Sequence, residues 1–300
     1  MINAPISNIS RASMEDGDGL RTVVFFSGCA MRCKWCHNPE TQNAKARLML
    51  YRDKCIGCGE CTRIGCAAIG NSLCEYDPKL CTGCGKCVEA CLGDALKLTH
   101  RSMSADEVVR EVLKDEVFMR LSSGGVTLSG GECLLYPEFS VNVLSRVKER
   151  GIGTCVESAL FVPHENVTRV MPFVDRFLID IKIFDPEMHK EYTCVDNGLI
   201  LENALYLMKN HPSVTVRIPL IPNVTDTVKN LSDIASFVKD AEYMGKRTIE
   251  LLSYNPCADA KYAALGMEYT SFGKKQSDEI LSGIDNLLKD RFPEIDFSVK

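Results

Sequence analysis

Long apolar runs are missing: no stretch of the 300 residues approaches the length needed to cross a bilayer. Residues 1–17 hold neither a basic region followed by an apolar stretch nor a small-residue cleavage site, so the chain is expected to stay in the cytoplasm. Clusters of one charge are missing too. Thirty-five Lys and Arg are scattered among 40 Asp and Glu, for a formal net charge of −5 and a pI near 5.7. That distribution carries no electrostatic footprint for nucleic acid or anionic lipid, which leaves proteins and small molecules as partners. With 45% hydrophobic and 25% charged residues the composition suits one large globular domain or two smaller ones.

What the chain has in excess is cysteine. It holds 16, of which twelve fall between Cys29 and Cys91, while the remainder of the sequence has only Cys133, Cys155, Cys194 and Cys257. A reducing compartment makes structural disulfides a poor expectation and metal ligation the better one. The same distribution marks domains: residues 1–51 and 99–300 read as two parts of one unit, interrupted by a Cys- and Gly-rich insert at residues 52–98, held together by bound metal rather than by a large core.

Outside the insert, strand-like and helix-like segments alternate, the mark of an α/β fold with a parallel sheet. Strands are expected at 22–27, 126–129, 154–158, 176–183, 214–220 and 249–254, which is enough for a partial (β/α)6 barrel. Helices are expected at 139–148, 199–209, 228–243 and 277–289. One more follows Ser104, whose spacing to Glu107 forms a capping box ahead of Val108, Val109, Val112 and Leu113.

Three tight cysteine triplets occur: Cys29, Cys33, Cys36; Cys55, Cys58, Cys61; and Cys81, Cys84, Cys87. The second and third each have a trailing cysteine, Cys66 and Cys91. C-x2-C-x2-C with a fourth cysteine behind is the ferredoxin pattern, in which the fourth thiolate of each run binds the other cluster. One [4Fe-4S] cluster is therefore expected on Cys55, Cys58, Cys61 and Cys91, and a second on Cys81, Cys84, Cys87 and Cys66, with Cys74 as an alternative to Cys66. Gly57, Gly59, Gly83 and Gly85 let the backbone wrap closely. A pair of zinc knuckles is the competing reading. The first triplet, C-x3-C-x2-C, has no fourth cysteine nearby, so one iron of its cluster lacks a protein thiolate. An open coordination position is what separates a catalytic metal centre from a structural one.

These residues resemble the radical S-adenosylmethionine superfamily, whose signature is C-x3-C-x-aromatic-C, here Cys29, Cys33, Trp35 and Cys36. Residues 15–41, Ser129-Gly130-Gly131-Glu132, Asp180-Ile181-Lys182 and Lys261-Tyr262 are similar, more narrowly, to glycyl radical enzyme activating enzymes of the subgroup with a two-cluster insert. The resemblance implies three [4Fe-4S] clusters. It also implies reductive cleavage of S-adenosylmethionine to a 5'-deoxyadenosyl radical, which takes hydrogen from a backbone glycine of a partner glycyl radical enzyme. A flavodoxin or ferredoxin is the implied electron donor.

The resemblance places Cys29, Cys33 and Cys36 at the catalytic cluster and Trp35, Gly130, Gly131, Glu132, Glu157, Asp180, Lys182 and Arg217 around S-adenosylmethionine. In it Trp35 flanks adenine, Gly130 and Gly131 receive the amino group, Glu157 and Asp180 lie near the ribose or a monovalent cation, and Lys182 and Arg217 face the methionine carboxylate. Taken singly, Trp35 reads as core packing, the glycines as a tight turn, and Arg217 as a structural ion-pair partner. Cys155, Cys194 and Cys257 read as small buried hydrophobes. Asp18, Cys133 and Ser253-Tyr254-Asn255 depart from the family pattern, all on the entrance and substrate side. Two other classes compete: a radical enzyme acting on a small molecule or peptide, and an electron-transfer protein.

Overall fold

The computed structural model describes the whole chain except residues 1, 71, 73 and 74, so Cys74 lies outside the described residues. Among the described residues there are eleven strands: β1 (Asn3–Ser13), β2 (Arg21–Phe26), β3 (Leu48–Leu50), β4 (Leu96–Leu98), β5 (Arg101–Ser104), β6 (Gly125–Gly130), β7 (Gly153–Ser158), β8 (Arg176–Asp180), β9 (Val214–Leu220), β10 (Thr248–Ser253) and β11 (Asp296–Val299). Nine form one sheet in the order β11-β10-β9-β8-β7-β6-β2-β1-β5. From β2 through β11 the pairings are parallel, whereas β1 lies antiparallel between β2 and β5. The six strands expected from the sequence are thus consecutive neighbours, wound in chain order with helices between them, as in a barrel built from β/α units.

Alternation along these strands separates two faces. Val126, Leu128, Val156, Phe177, Ile179, Val216, Ile218, Ile249 and Leu251 are fully or almost fully buried in one large core. Helices Pro137–Glu149, Gly198–Asn210 and Val228–Asp240 contribute Val143, Leu144, Val147, Leu207, Met208, Ile234 and Val238 to the same core. Many of the intervening strand residues are polar, among them Thr127, Ser129, Glu157, Asp180, Arg217 and Glu250, alongside Cys155, Leu178, Pro219 and Leu252. Burying one face of each strand under helices leaves the other to build a charged interior.

Two element ends and two cysteines differ notably from expectation. The strand expected to reach residue 183 stops at Asp180, because Lys182 turns back to Asp180 with a 2.6 Å ion pair. The helix expected to reach residue 243 ends at Asp240, where Ala241 is already extended. Cys194 and Cys257 are exposed rather than buried: Cys194 takes a left-handed φ of 66° at the end of helix Pro186–Thr193, and Cys257 sits in a surface loop. Cys155 is fully buried, as expected.

β3 and β4 pair with each other only, in a separate two-stranded sheet that closes the base of the cysteine-rich segment. That segment has its own small core of Leu48, Leu50, Cys61, Ala68, Ile69, Cys81, Cys87 and Leu96. Three of these eight residues are cysteines, so the apolar interior of the segment is small.

Candidate active site

The C-terminal ends of the parallel strands surround a cavity of about 360 Å3, within the range of small-molecule sites. Phe25 of β2, Ser129 and Gly130 of β6, Glu157 and Ser158 of β7, Asp180 of β8, Pro219 of β9 and Leu252 of β10 line it. Polar Ser129, Glu157 and Asp180 and apolar Phe25, Pro219 and Leu252 are brought to one rim because parallel strands all end on the same side.

The loop after β2 carries Cys29, Cys33 and Cys36 into this cavity. It is pinned along its length. Gly28 N–H donates to the Thr41 carbonyl at 2.7 Å, Arg32 N–H to Thr193 at 2.8 Å, Lys34 N–H to Tyr192 at 2.9 Å, and the Tyr136 hydroxyl to Ser27 at 2.9 Å. Burial pushes the Cys29 thiol up to about 11, the Cys33 thiol up to about 12, and that of Cys36 in the same direction. Without metal these thiols are neutral, so metal binding must displace their protons. All three are free of disulfide bonds and face one space, the donor set an iron-sulfur cluster requires.

Gly130 and Gly131 line the cavity as well, but the reason for glycine lies behind them. A Cβ on Gly130, at φ 107°, would sit 2.3 Å from the Phe26 nitrogen, and one on Gly131 would sit 2.4 Å from the Gly28 carbonyl oxygen. The turn is clamped against the root of the cysteine loop, leaving no room for a side chain.

Lys182 holds its charge in the cavity wall: burial opposes protonation, but Asp180 at 2.6 Å more than offsets this. Glu157 accepts from the Arg217 guanidinium at 2.7 Å and from the Ser129 hydroxyl. Burial works to raise its pKa, and Arg217 with Ser129 outweighs that, holding the carboxylate below the ordinary range. Trp35 lines the cavity while packing between Tyr192 and Phe272, with ring centroids 6.0 and 6.1 Å away.

Two residues expected around the ligand do not line the cavity. Arg217 is spent on Glu157, on Glu250 at 2.9 Å and on the Glu15 carbonyl, so its structural ion-pair reading describes it. Glu132 turns inward, where it accepts from Leu134 N–H, Ala159 N–H and the Ser158 hydroxyl. Sequence reasoning in turn passed over Asp16, Asn38 and Gln42, which line the cavity. Asp16 and Asn38 both lie in the 15–41 segment that carries the resemblance, which was the available signal, whereas Gln42 falls just beyond it.

In the cysteine-rich segment, Cys61 has Cys91, Cys55 and Cys58 as its thiol neighbours, whereas Cys87 has Cys66, Cys81 and Cys84. Gly57, Gly59, Gly83 and Gly85 take left-handed φ values of 70° to 80°, so each loop coils as only glycine does readily. Among the described residues no three His, Cys, Asp or Glu side chains converge as ligands of a single metal ion do. A four-iron cube instead spreads its thiolates one to each iron.

The Radical SAM superfamily pattern matches residues 23–237, more than two thirds of the chain. The chain belongs to the radical SAM superfamily. It is 41% identical over 273 residues to the (2S)-3-sulfopropanediol dehydratase activating enzyme of Klebsiella oxytoca, covering 88% of this chain and 86% of that protein. It is also 36% identical to the indoleacetate decarboxylase activating enzyme of Tractidigestivibacter scatoligenes, covering 89% and 88%. A radical SAM methyltransferase from Sphaerobacter thermophilus shares the fold at a TM-score of 0.56 and 14% identity, over 99% of this chain and 77% of that one. Like its curated relatives, this radical SAM protein is an activating enzyme that uses a [4Fe-4S] cluster and S-adenosylmethionine, and its partner is a glycyl radical enzyme. Among the described residues no helix is long and apolar enough to cross a membrane.

Proposed function

We propose that Cys29, Cys33 and Cys36 hold the [4Fe-4S] cluster through three thiolates and leave the fourth iron to the amino and carboxylate groups of S-adenosylmethionine. The observation that carries this is the convergence of those three thiols, Gly130, Gly131, Asp180 and Lys182 on one cavity. Held there, the cluster would supply the one electron for reductive cleavage of S-adenosylmethionine into methionine and the 5'-deoxyadenosyl group that would take a hydrogen atom from the partner's glycine.

The chain's own residues set up that chemistry. Lys182 presents a buried ammonium suited to a carboxylate. Glu157, its carboxylate held below the ordinary range, and Asp180 line the same cavity, where they would face the ribose hydroxyls or a monovalent cation. Trp35, fixed by Tyr192 and Phe272, offers a flat wall for adenine. Arg217 and Glu132 serve as braces for these groups.

Residues 52–98 form, on this reading, a ferredoxin-like insert with two further clusters, one on Cys55, Cys58, Cys61 and Cys91, the other on Cys81, Cys84, Cys87 and Cys66. The crossed grouping of thiols supports that pairing. Residues 1–51 and 99–300 make up the barrel. A flavodoxin or ferredoxin delivers electrons to the insert, which passes them inward.

Anaerobic iron and sulfide analysis tests the cluster count. Wild type is expected to carry about 12 irons and the Cys29, Cys33, Cys36 triple alanine variant about 8, given four irons per cluster. The activity itself is read as one 5'-deoxyadenosine per activation together with a glycyl doublet on the partner by electron spin resonance. Unchanged iron in the triple variant, or no spectral response to S-adenosylmethionine in wild type, would overturn the assignment.

A further inference from the structure

Helix Asp259–Leu265 lies outside the cavity lining, yet two of its side chains reach the loop that carries Cys36. The Lys261 ammonium donates to Asn38 Oδ1 at 2.7 Å, to Glu40 Oε1 at 2.7 Å and to the His37 carbonyl at 3.2 Å. All three of its protons are then used. The other Glu40 oxygen is buried without a hydrogen-bond partner, so Lys261 is the cation that makes this carboxylate tolerable there. The adjacent Tyr262, 5% exposed, donates its hydroxyl to the Cys36 carbonyl at 3.0 Å. Its ring packs against Tyr269 with centroids 5.3 Å apart, and the helix rests on the short turn Pro39–Thr41 and on β3.

What these contacts hold still is specific. Cys36, Asn38 and Gln42 line the same cavity, and burial raises the Cys36 thiol while the Asn38 N–H and the Gln42 side chain, as donors toward its sulfur, pull the other way. Asn38 and Gln42 flank the turn that Lys261 grips, and the Asn38 carbonyl accepts from both Thr41 N–H and the Thr41 hydroxyl. Donors aimed at a cluster sulfur stabilise the reduced, more negative state, and therefore raise its reduction potential.

We propose that Lys261 and Tyr262 are positioning residues that fix segment 36–42 so that the Cys36 sulfur keeps its two donors, thereby setting the reduction potential of the S-adenosylmethionine-binding cluster. The inference rests on the assignment of Cys29, Cys33 and Cys36 as its ligands. Neither side chain touches the reacting atoms; each acts through the loop.

The test compares anaerobically reconstituted full-length wild type, Tyr262→Phe, Lys261→Met and Lys261→Arg. Iron and sulfide are quantified, and the signal that responds to S-adenosylmethionine is followed by electron spin resonance through a potentiometric titration. Tyr262→Phe, which removes one oxygen from a packed ring, is expected to fold, keep its iron and show a lower midpoint. Lys261→Met is expected to shift it further the same way or to lose about a third of its iron, the share of one cluster in three. Lys261→Arg is expected near wild type. With excess strong reductant, 5'-deoxyadenosine formation by Tyr262→Phe should recover, as a purely structural defect would not. Wild-type midpoints and line shapes in both Tyr262→Phe and Lys261→Met at full iron content would overturn the proposal, and if Lys261→Met does not fold, an unshifted Tyr262→Phe alone does so. A wild type without any responsive signal sinks the ligand assignment and this inference with it, a result distinct from a failure seen only in the variants.

Discussion

Glu132 is a buried carboxyl surrounded by donors, and its environment sets a pH dependence. Burial pushes its pKa from the ordinary 4.5 up to about 7, although Leu134 N–H, the Ser158 hydroxyl and Ala159 N–H pull the other way. Between pH 4.5 and about 7 the folded metal-free protein holds a proton that the unfolded chain has released. This contribution to stability is full below 4.5 and is lost as pH rises through about 7. Glu132→Gln should flatten that slope in denaturant titrations, and near neutral pH it should cost about 1–3 kcal/mol, since an amide NH2 would face N–H and O–H donors. Arg217 makes a second case. Its removal takes the cation from Glu157, while the buried Glu250 keeps Lys300 at 3.1 Å and Arg176 at 3.6 Å, so Arg217→Met should cost about 3 kcal/mol by the same measurement. Neither orientation was legible in the sequence. An acid after two glycines does not say which way its side chain turns, and the partner of Arg217 lies 33 residues later on the next strand.

Elements that bury one alternating face under helices announced themselves: β6, β7, β9 and β10 lie within a residue of their expected bounds because Val, Ile and Leu recur at every second position. The capping box at Ser104 is formed as read, with Ser104 N–H donating to Glu107 at 2.7 Å. β1 and β11 were not legible. The first reads NAPISNISRAS, too polar to suggest a strand, and the second is only four residues long; both owe their conformation to the neighbour they pair with. The Gly130-Gly131 turn was legible as a turn but not as a packing contact against Gly28. Gly131→Ala should therefore lower stability by about 1–3 kcal/mol through forced backbone shifts, and it should reduce iron retention at the Cys29 triplet. Normal melting and full iron content in that variant would show that the loop yields.

At the scale of the molecule, the large core and the core of the cysteine-rich segment divide the labour, beside a third small cluster of Trp35, Ile183, Ile221, Val224 and Tyr254. The large core lies between the parallel sheet and its helices, while the cysteine-rich segment packs on itself, closed off by β3 and β4. Dense cysteine spacing made that second unit visible before any apolar pattern could, since too few apolar residues are present there to form one. Separate cores mean that emptying one should spare the other. Replacing Cys55, Cys58, Cys61 and Cys91 together by alanine should remove about four irons, the content of one cubane, while leaving the spectral response to S-adenosylmethionine intact. Cleavage driven by dithionite, which reaches the cavity without a relay, should then persist, and cleavage driven by a protein donor should fall sharply. Equal loss with both reductants, at a preserved response to S-adenosylmethionine, would mean that the segment acts on the barrel itself rather than as its source of electrons.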